Sequence, residues 1–359
     1  MKEIVVEVLK LLFKAKRIDE INTKNIKNIL IIRQHNQFGD LLASSSLFVA
    51  LKESLPNCKV SVLVAPQNYY AITKNSYIDS YFVFDKKQIL NIKYFSKFRK
   101  FITNRYDLCI VPSTVSLSLT SSLIARFSDA KIILGVSELS GEINKYAFLF
   151  NYTVKLDWRL NPDRHVADFG LDIVRRFGIK TEKYNPIISF DADDEIIANG
   201  FISSLNMTKE MLLVGVHVGA GKPKNRWSLN KFIDLILIIN KDYNVKFYFT
   251  GSKADNEELD FIRQNMKIDA GFFIDRSIPQ LAALISKSNL FITNDTGVMH
   301  VAGSTNTPQI SIFGATNPFN WAPIGKHKYF LRDKSELIDD ISVEQVLILC
   351  KKIIEEKHE

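Results

Sequence analysis

The sequence predicts an α/β protein built from two doubly wound domains in tandem, and three observations carry that expectation. Short runs rich in β-branched residues alternate with helix-spaced stretches, the pattern of a parallel sheet covered by helices. The alternation breaks at Asn185-Pro186 and begins afresh after residue 192. At 359 residues the chain also exceeds the roughly 100–200 residues of one domain.

Taken in order, residues 28–32 read as the first strand and 41–55 as one helix. Strands follow over 59–64, 81–84 and 108–111, then a helix over 116–127 and a strand over 131–134. Apolar positions at Val166, Phe169, Leu171, Ile173, Val174 and Phe177 predict a helix over 164–177 with Gly178 as its stop. The domain boundary lies in 185–192, giving a first domain of 1–187 and a second of 188–340. Past a helix over 193–205, the second domain reads as strands over 212–218, 246–250, 290–293 and 309–313. Helices over 229–239, 254–266 and 278–286, and one opening at 298, stand among them. The segment 341–359 holds a closing helix, over 343–357, with the length to cross back to the first domain.

Composition narrows the class. A hydrophobic content of 46% with 24% charged residues is that of a globular chain, and no apolar run approaches the ~20 residues of a membrane span. The net charge of +8 points to anionic partners. No nucleic-acid-binding motif accompanies it, so nucleic acid is not an expected partner. Cys58, Cys109 and Cys350 are far apart and form no C-x-x-C pair, which fits buried thiols in a reducing cytoplasm. Residues 1–17 form an amphipathic helix with two readings: packing on the first domain, or lying on an anionic membrane.

In open α/β sheets ligands bind outside the carboxyl ends of the strands, so the loops there are the candidates. Asn294-Asp295-Thr296-Gly297 turns an apolar strand into a helix that carries His300. It reads either as an ordinary helix cap or as a start whose N–H groups hold a phosphate. The loop 33–40 ends in Gly39-Asp40, where a carboxylate can take a proton from a hydroxyl or simply stabilise a helix start. Its single glycine excludes a dinucleotide fingerprint.

Gly219-Ala220-Gly221 permits close backbone approach to a diphosphate, with Lys222, Lys224 and Arg226 as countercharge. Val216 and Pro223 rule out a Walker loop. Trp227 fits a core anchor better than a stacking platform. Gly251-Ser252 and the 313–318 loop with Thr316 complete a set of strand-end loops in one domain. The stretch 86–101, with Lys97 and Arg99, reads as a solvated helix with a buried Phe stripe or as a surface for an acidic acceptor.

Taken in sequence, Gly39-Asp40, Gly219-Ala220 with Arg226-Trp227-Ser228, Gly251-Ser252, Asn294-Asp295-Thr296-Gly297 with His300, and Phe313-Gly314-Ala315-Thr316 resemble glycosyltransferase family 9, the bacterial heptosyltransferases. The resemblance implies a GT-B fold, two Rossmann-like domains facing across a cleft. It also implies an acceptor bound by the first domain and ADP-heptose by the second, and an inverting transfer onto a lipopolysaccharide inner core or other glycan acceptor. No tightly bound cofactor or metal is implied. Asp40 matches the family's proposed base, Asp295-Thr296-Gly297 its diphosphate and sugar contacts, and Gly39, Lys97 and Arg99 fall on the acceptor side. A cytoplasmic enzyme, peripheral on the cytoplasmic face of the inner membrane, follows from that acceptor.

Two positions depart from the family: Asn225 stands where it often has lysine, and Lys253 stands near an acidic ribose contact of some relatives. The diphosphate cation and the nucleotide base are therefore open. Another nucleotide sugar, a binding module without catalysis and an epimerase of similar two-domain shape are the competing readings.

Overall fold

Six parallel strands make the second sheet, and the first sheet is parallel apart from one short hairpin. The computed structural model describes residues 2–34 and 38–356. The middle of the 33–40 loop and the last residue expected in the closing helix lie outside the described residues. The chain divides into two units, 1–184 and 185–359.

In the first unit the strands are β1 (Asn28–Arg33), β2 (Lys59–Val64), β3 (Ser80–Val83), β4 (Leu108–Ile110), β5 (Ile132–Leu139), β6 (Glu142–Ile143) and β7 (Tyr152–Leu156). Their order is β3-β2-β1-β4-β5-β6, with β7 parallel to β5 and β6 turning back antiparallel on it. Chain direction reverses its progress across the sheet between β1 and β4, which makes the loops after those two strands the topological switch point. One face is covered by helices Ile92–Ile102 and Leu119–Arg126, whose Phe98, Ile102, Ile124 and Ala125 pack with Leu30, Ile32 and Cys109.

The second unit repeats the plan with β8 (Leu212–His217), β9 (Val245–Gly251), β10 (Ala270–Ile274), β11 (Leu290–Asn294), β12 (Gln309–Phe313) and β13 (Lys328–Arg332). The order β10-β9-β8-β11-β12-β13 puts its switch point between β8 and β11. The central strands are continuous buried runs, as a sheet covered on both faces requires. Helix Leu229–Asp242 and the closing helix Val343–Glu355 bury Phe232, Ile236, Val346 and Cys350 in one core with β8, β9, β11 and β12.

Two expected helices are broken. The stretch 164–177 forms Val166–Phe169 and Asp172–Arg175 rather than one helix, ending at Gly178 with φ +76°. The stretch 41–55 becomes Phe38–Ala43 and Ser45–Ser54. At that break the Ser44 N–H bonds to the Leu41 carbonyl at 3.0 Å instead of continuing the ladder to Asp40. The Asp40 carbonyl is taken by side chains, with consequences described below.

Among the described residues no helix is long and apolar enough to cross a membrane. The N-terminal helix Lys2–Phe13 is tied to the first unit at its end, where Phe13 meets the Phe127 ring edge-on at 5.2 Å and its carbonyl accepts from Arg126 Nε at 2.8 Å. Before that tie, Ile4, Val8, Leu11 and Leu12 are exposed.

Candidate functional site

The last residue of β11 organises the second unit's carboxyl edge. Asn294 is fully buried, and its amide works in both directions: Nδ2 donates to the Val218 carbonyl at 2.9 Å and the Gly219 carbonyl at 3.3 Å. Its Oδ1 accepts the Trp227 N–H at 3.1 Å. One side chain thus holds both ends of the loop after β8, at the switch point. A buried amide without such partners would cost about 1–3 kcal/mol, so these bonds are an obligation as well as a tie.

The neighbouring loops are joined to the same frame. Asn225 Nδ2 donates to Asp295 Oδ2 at 2.8 Å, linking the β8 and β11 loops directly. Thr316, from the loop after β12, hydrogen-bonds the Asp295 side chain, and Lys222 lies close enough to attract it electrostatically. Burial pushes the Asp295 carboxyl above its ordinary range, opposed by Thr316 and Lys222.

On the other side His217, buried at the end of β8, donates from Nδ1 to the Thr250 carbonyl at 3.0 Å. The Ser252 N–H and Oγ both donate to Asp255 Oδ2, at 2.8 and 2.9 Å. A Cβ at Gly219 would overlap Asp255 Oδ1, so glycine lets the Asp255 carboxylate lie against the loop after β8.

The sequence-predicted residues of the second unit fall on this edge. Gly219 and Ala220 lie in the loop after β8, Gly251 ends β9, and Ser252 caps the short turn Lys253–Asp255. Thr296 stands at the N-cap position of the helix Gly297–Gly303 without a side-chain capping bond, and that helix buries His300 with its ring 6.4 Å from Trp321. Of the cations, Arg226 is ion-paired with buried Glu258 through Nη1 and donates from Nη2 to the Ala220 carbonyl at 3.3 Å. Lys222 and Lys224 are exposed. Trp227 is fully buried, its Nε1 donating to the Ile341 carbonyl at 2.9 Å, as a core anchor should be.

In the first unit Asp40 and Gly39 lie in the helix Phe38–Ala43 that follows β1, and Asp40 is buried. Arg33, the last residue of β1, is buried beside it. Its Nη2 donates to the Asp40 carbonyl, its Nη1 to the Pro112 carbonyl at 3.1 Å and its Nε to Ser44 Oγ at 2.9 Å. Burial raises the Asp40 carboxyl above the usual carboxylate range, while the Arg33 charge pulls it back. Gln34 reaches Ser121 Oγ at 3.0 Å on the helix after β4. Lys97 and Arg99 sit exposed on the helix Ile92–Ile102, which covers a sheet face and is not a strand-end loop.

The sequence reading quoted Asn294 within its turn and Asn225 as a departure from the family but gave neither a role, and it did not single out Asp255 or Arg33. The available signal was a polar residue closing an otherwise apolar strand, at Asn294 and at Arg33.

Two Rossmann-like units, each with polar loops at its switch point, are the two halves of a GT-B fold. Residues 95–344 match glycosyltransferase family 9 (heptosyltransferase). The chain belongs to that family. It is 25% identical over 306 residues to lipopolysaccharide heptosyltransferase 3 of Escherichia coli strain K12, spanning 79% of this chain and 82% of that protein. Its fold is similar to the family 9 glycosyl transferase of Veillonella parvula, with TM-score 0.80 and 21% identity, covering 92% of this chain and 97% of the other. It is also similar to E. coli ADP-heptose lipopolysaccharide heptosyltransferase II, with TM-score 0.73, 19% identity and coverage of 92% and 100%.

Replacing Asn294 by alanine removes three hydrogen bonds and leaves the Val218 carbonyl and Trp227 N–H without their partner. The expected cost is about 1–3 kcal/mol. Limited proteolysis of the folded variant should show new cleavage within 218–227; a loop as resistant as in the unmodified protein would mean that Asn294 is not its tie.

Proposed function

We propose that the protein transfers a heptose from ADP-heptose to a lipopolysaccharide inner-core acceptor with inversion, Asp40 acting as general base. The observation that supports this reading is the joining of the β8, β9, β11 and β12 loops into one polar edge in a member of a heptosyltransferase family. Glycine and open N–H groups there suit a diphosphate, which carries charge and needs close backbone approach. The names of the relatives supply the heptose and the lipopolysaccharide acceptor.

The chemistry is a single displacement. Asp40 takes the proton from the acceptor hydroxyl, the oxygen attacks the anomeric carbon, and ADP leaves as its bond to the sugar breaks. Charge accumulating on the diphosphate is stabilised by loop N–H groups and by cations. Arg226, already paired with Glu258, braces the loop through the Ala220 carbonyl. Lys222, near Asp295 and exposed, is the better countercharge.

Purified protein given ADP-heptose and core acceptor should release ADP, and Asp40→Asn should lower turnover by ~10²–10⁴ while leaving ADP affinity unchanged. Lys222→Ala should weaken ADP by roughly tenfold or more, the loss of one charge-assisted contact. Unaltered turnover by Asp40→Asn would remove the base. Tight UDP binding without ADP binding would remove the donor, and conversion of the sugar nucleotide without acceptor would mark an epimerase.

We also propose a peripheral seat on the cytoplasmic face of the inner membrane. Residues 86–105 contain seven lysines or arginines and no acidic residue, and within them Leu90 is 92% and Ile92 85% exposed. Cations drawn to anionic headgroups beside apolar side chains that enter the interface make a membrane-docking surface. The protein should sediment with phosphatidylglycerol vesicles and not with phosphatidylcholine ones, with binding reduced roughly tenfold in Leu90→Ser/Ile92→Ser. Equal partition to both lipids would contradict it.

A further inference from the structure

The break in the helix that carries Asp40 has an identifiable cause. In an unbroken helix the Asp40 carbonyl would accept the Ser44 N–H. Here that N–H turns to Leu41, and the carbonyl accepts from Ser44 Oγ at 3.0 Å and from the Arg33 guanidinium. Arg33 reaches in from the end of β1 and spends its other donors on Ser44 Oγ and the Pro112 carbonyl, so one buried side chain joins both loops of the first switch point. None of these three partners is a charged group.

A buried guanidinium held by carbonyls and a hydroxyl is expensive to keep charged, and burial does lower its proton affinity. What returns is an attraction to the Asp40 carboxylate. We propose that Arg33 is the positioning residue for Asp40: it fixes the helix break on which Asp40 sits and places a countercharge beside the buried carboxyl. The proposal rests on the reading of Asp40 as the base.

Among the described residues, the elements packed on this helix bring few other titratable groups. Helix Ser45–Ser54 carries Lys52, paired with Asp79 at 2.6 Å, and Glu53, paired with Lys183 at 2.7 Å. The turn Tyr69–Ala71 brings Tyr69 and Tyr70, the latter's phenol pushed up by burial and stacked on Phe38 at 5.6 Å. Arg33 is the cation that acts on Asp40.

The sign of the effect follows directly. The base is active only when ionised, and Arg33 favours the ionised form, so removing the charge moves the acidic limb of the rate profile to higher pH. Arg33→Met should shift that limb of kcat/KM upward by about one pH unit or more, a tenfold loss below the limb that is recovered in part at alkaline pH. Arg33→Lys keeps a charge at shorter reach, so it should hold the limb near its original place while lowering kcat.

Asp40→Asn is measured beside them. If Asp40→Asn is inactive but Arg33→Met loses activity equally at every pH, Arg33 is structural only and the proposal fails while the base stands. If Asp40→Asn is fully active, the base reading itself fails. Should Arg33→Met not fold, Arg33→Lys decides: unchanged kcat would overturn the positioning role, and a limb shifted as far as one unit would overturn the countercharge.

Discussion

The amide of Asn294 is the constraint on which the second unit's edge depends. It sits where the buried strand β11 ends, so its polar atoms cannot reach bulk water and must be satisfied by backbone. The groups that satisfy it belong to the loop after β8, which the switch point places alongside. Fixing both ends of that loop brings Asn225 to Asp295 and anchors Trp227 in the core. The start of the helix Gly297–Gly303 then stands beside a glycine-bearing loop held at both ends.

The first unit meets the same need with a charged residue. Arg33 closes β1 as Asn294 closes β11, and each ties the two loops of its own switch point. The difference is electrostatic. A neutral amide is sufficient where a loop must be held, whereas a guanidinium also offsets the burial of a carboxylate. Asp295 is met by an amide, a hydroxyl and the charge of exposed Lys222 rather than by a buried guanidinium.

The parts of this architecture that were legible in the sequence are those with a strong local signature. The central strands are unbroken apolar runs, and the glycine-bearing turns after them mark the carboxyl edge. Strands β7, β10 and β13 were not read because they lie toward the sheet margins and are partly exposed, which dilutes the apolar run. The helix read as continuous over 41–55 breaks where the Asp40 carbonyl accepts from Ser44 Oγ and from Arg33 of β1, a tertiary contact that periodicity does not encode. The ties among Asn225, Asp295 and Asn294 likewise join residues about seventy positions apart. Their residue types were visible, but their pairing was not.

Amide hydrogen exchange with and without ADP tests the central claim most directly, that the loops fastened by Asn294 form the nucleotide site. Saturating ADP should slow exchange in 218–227 and 295–298 and leave the first unit's amides unchanged. Protection confined to the first unit, or absent from both loops while ADP is bound, would contradict it.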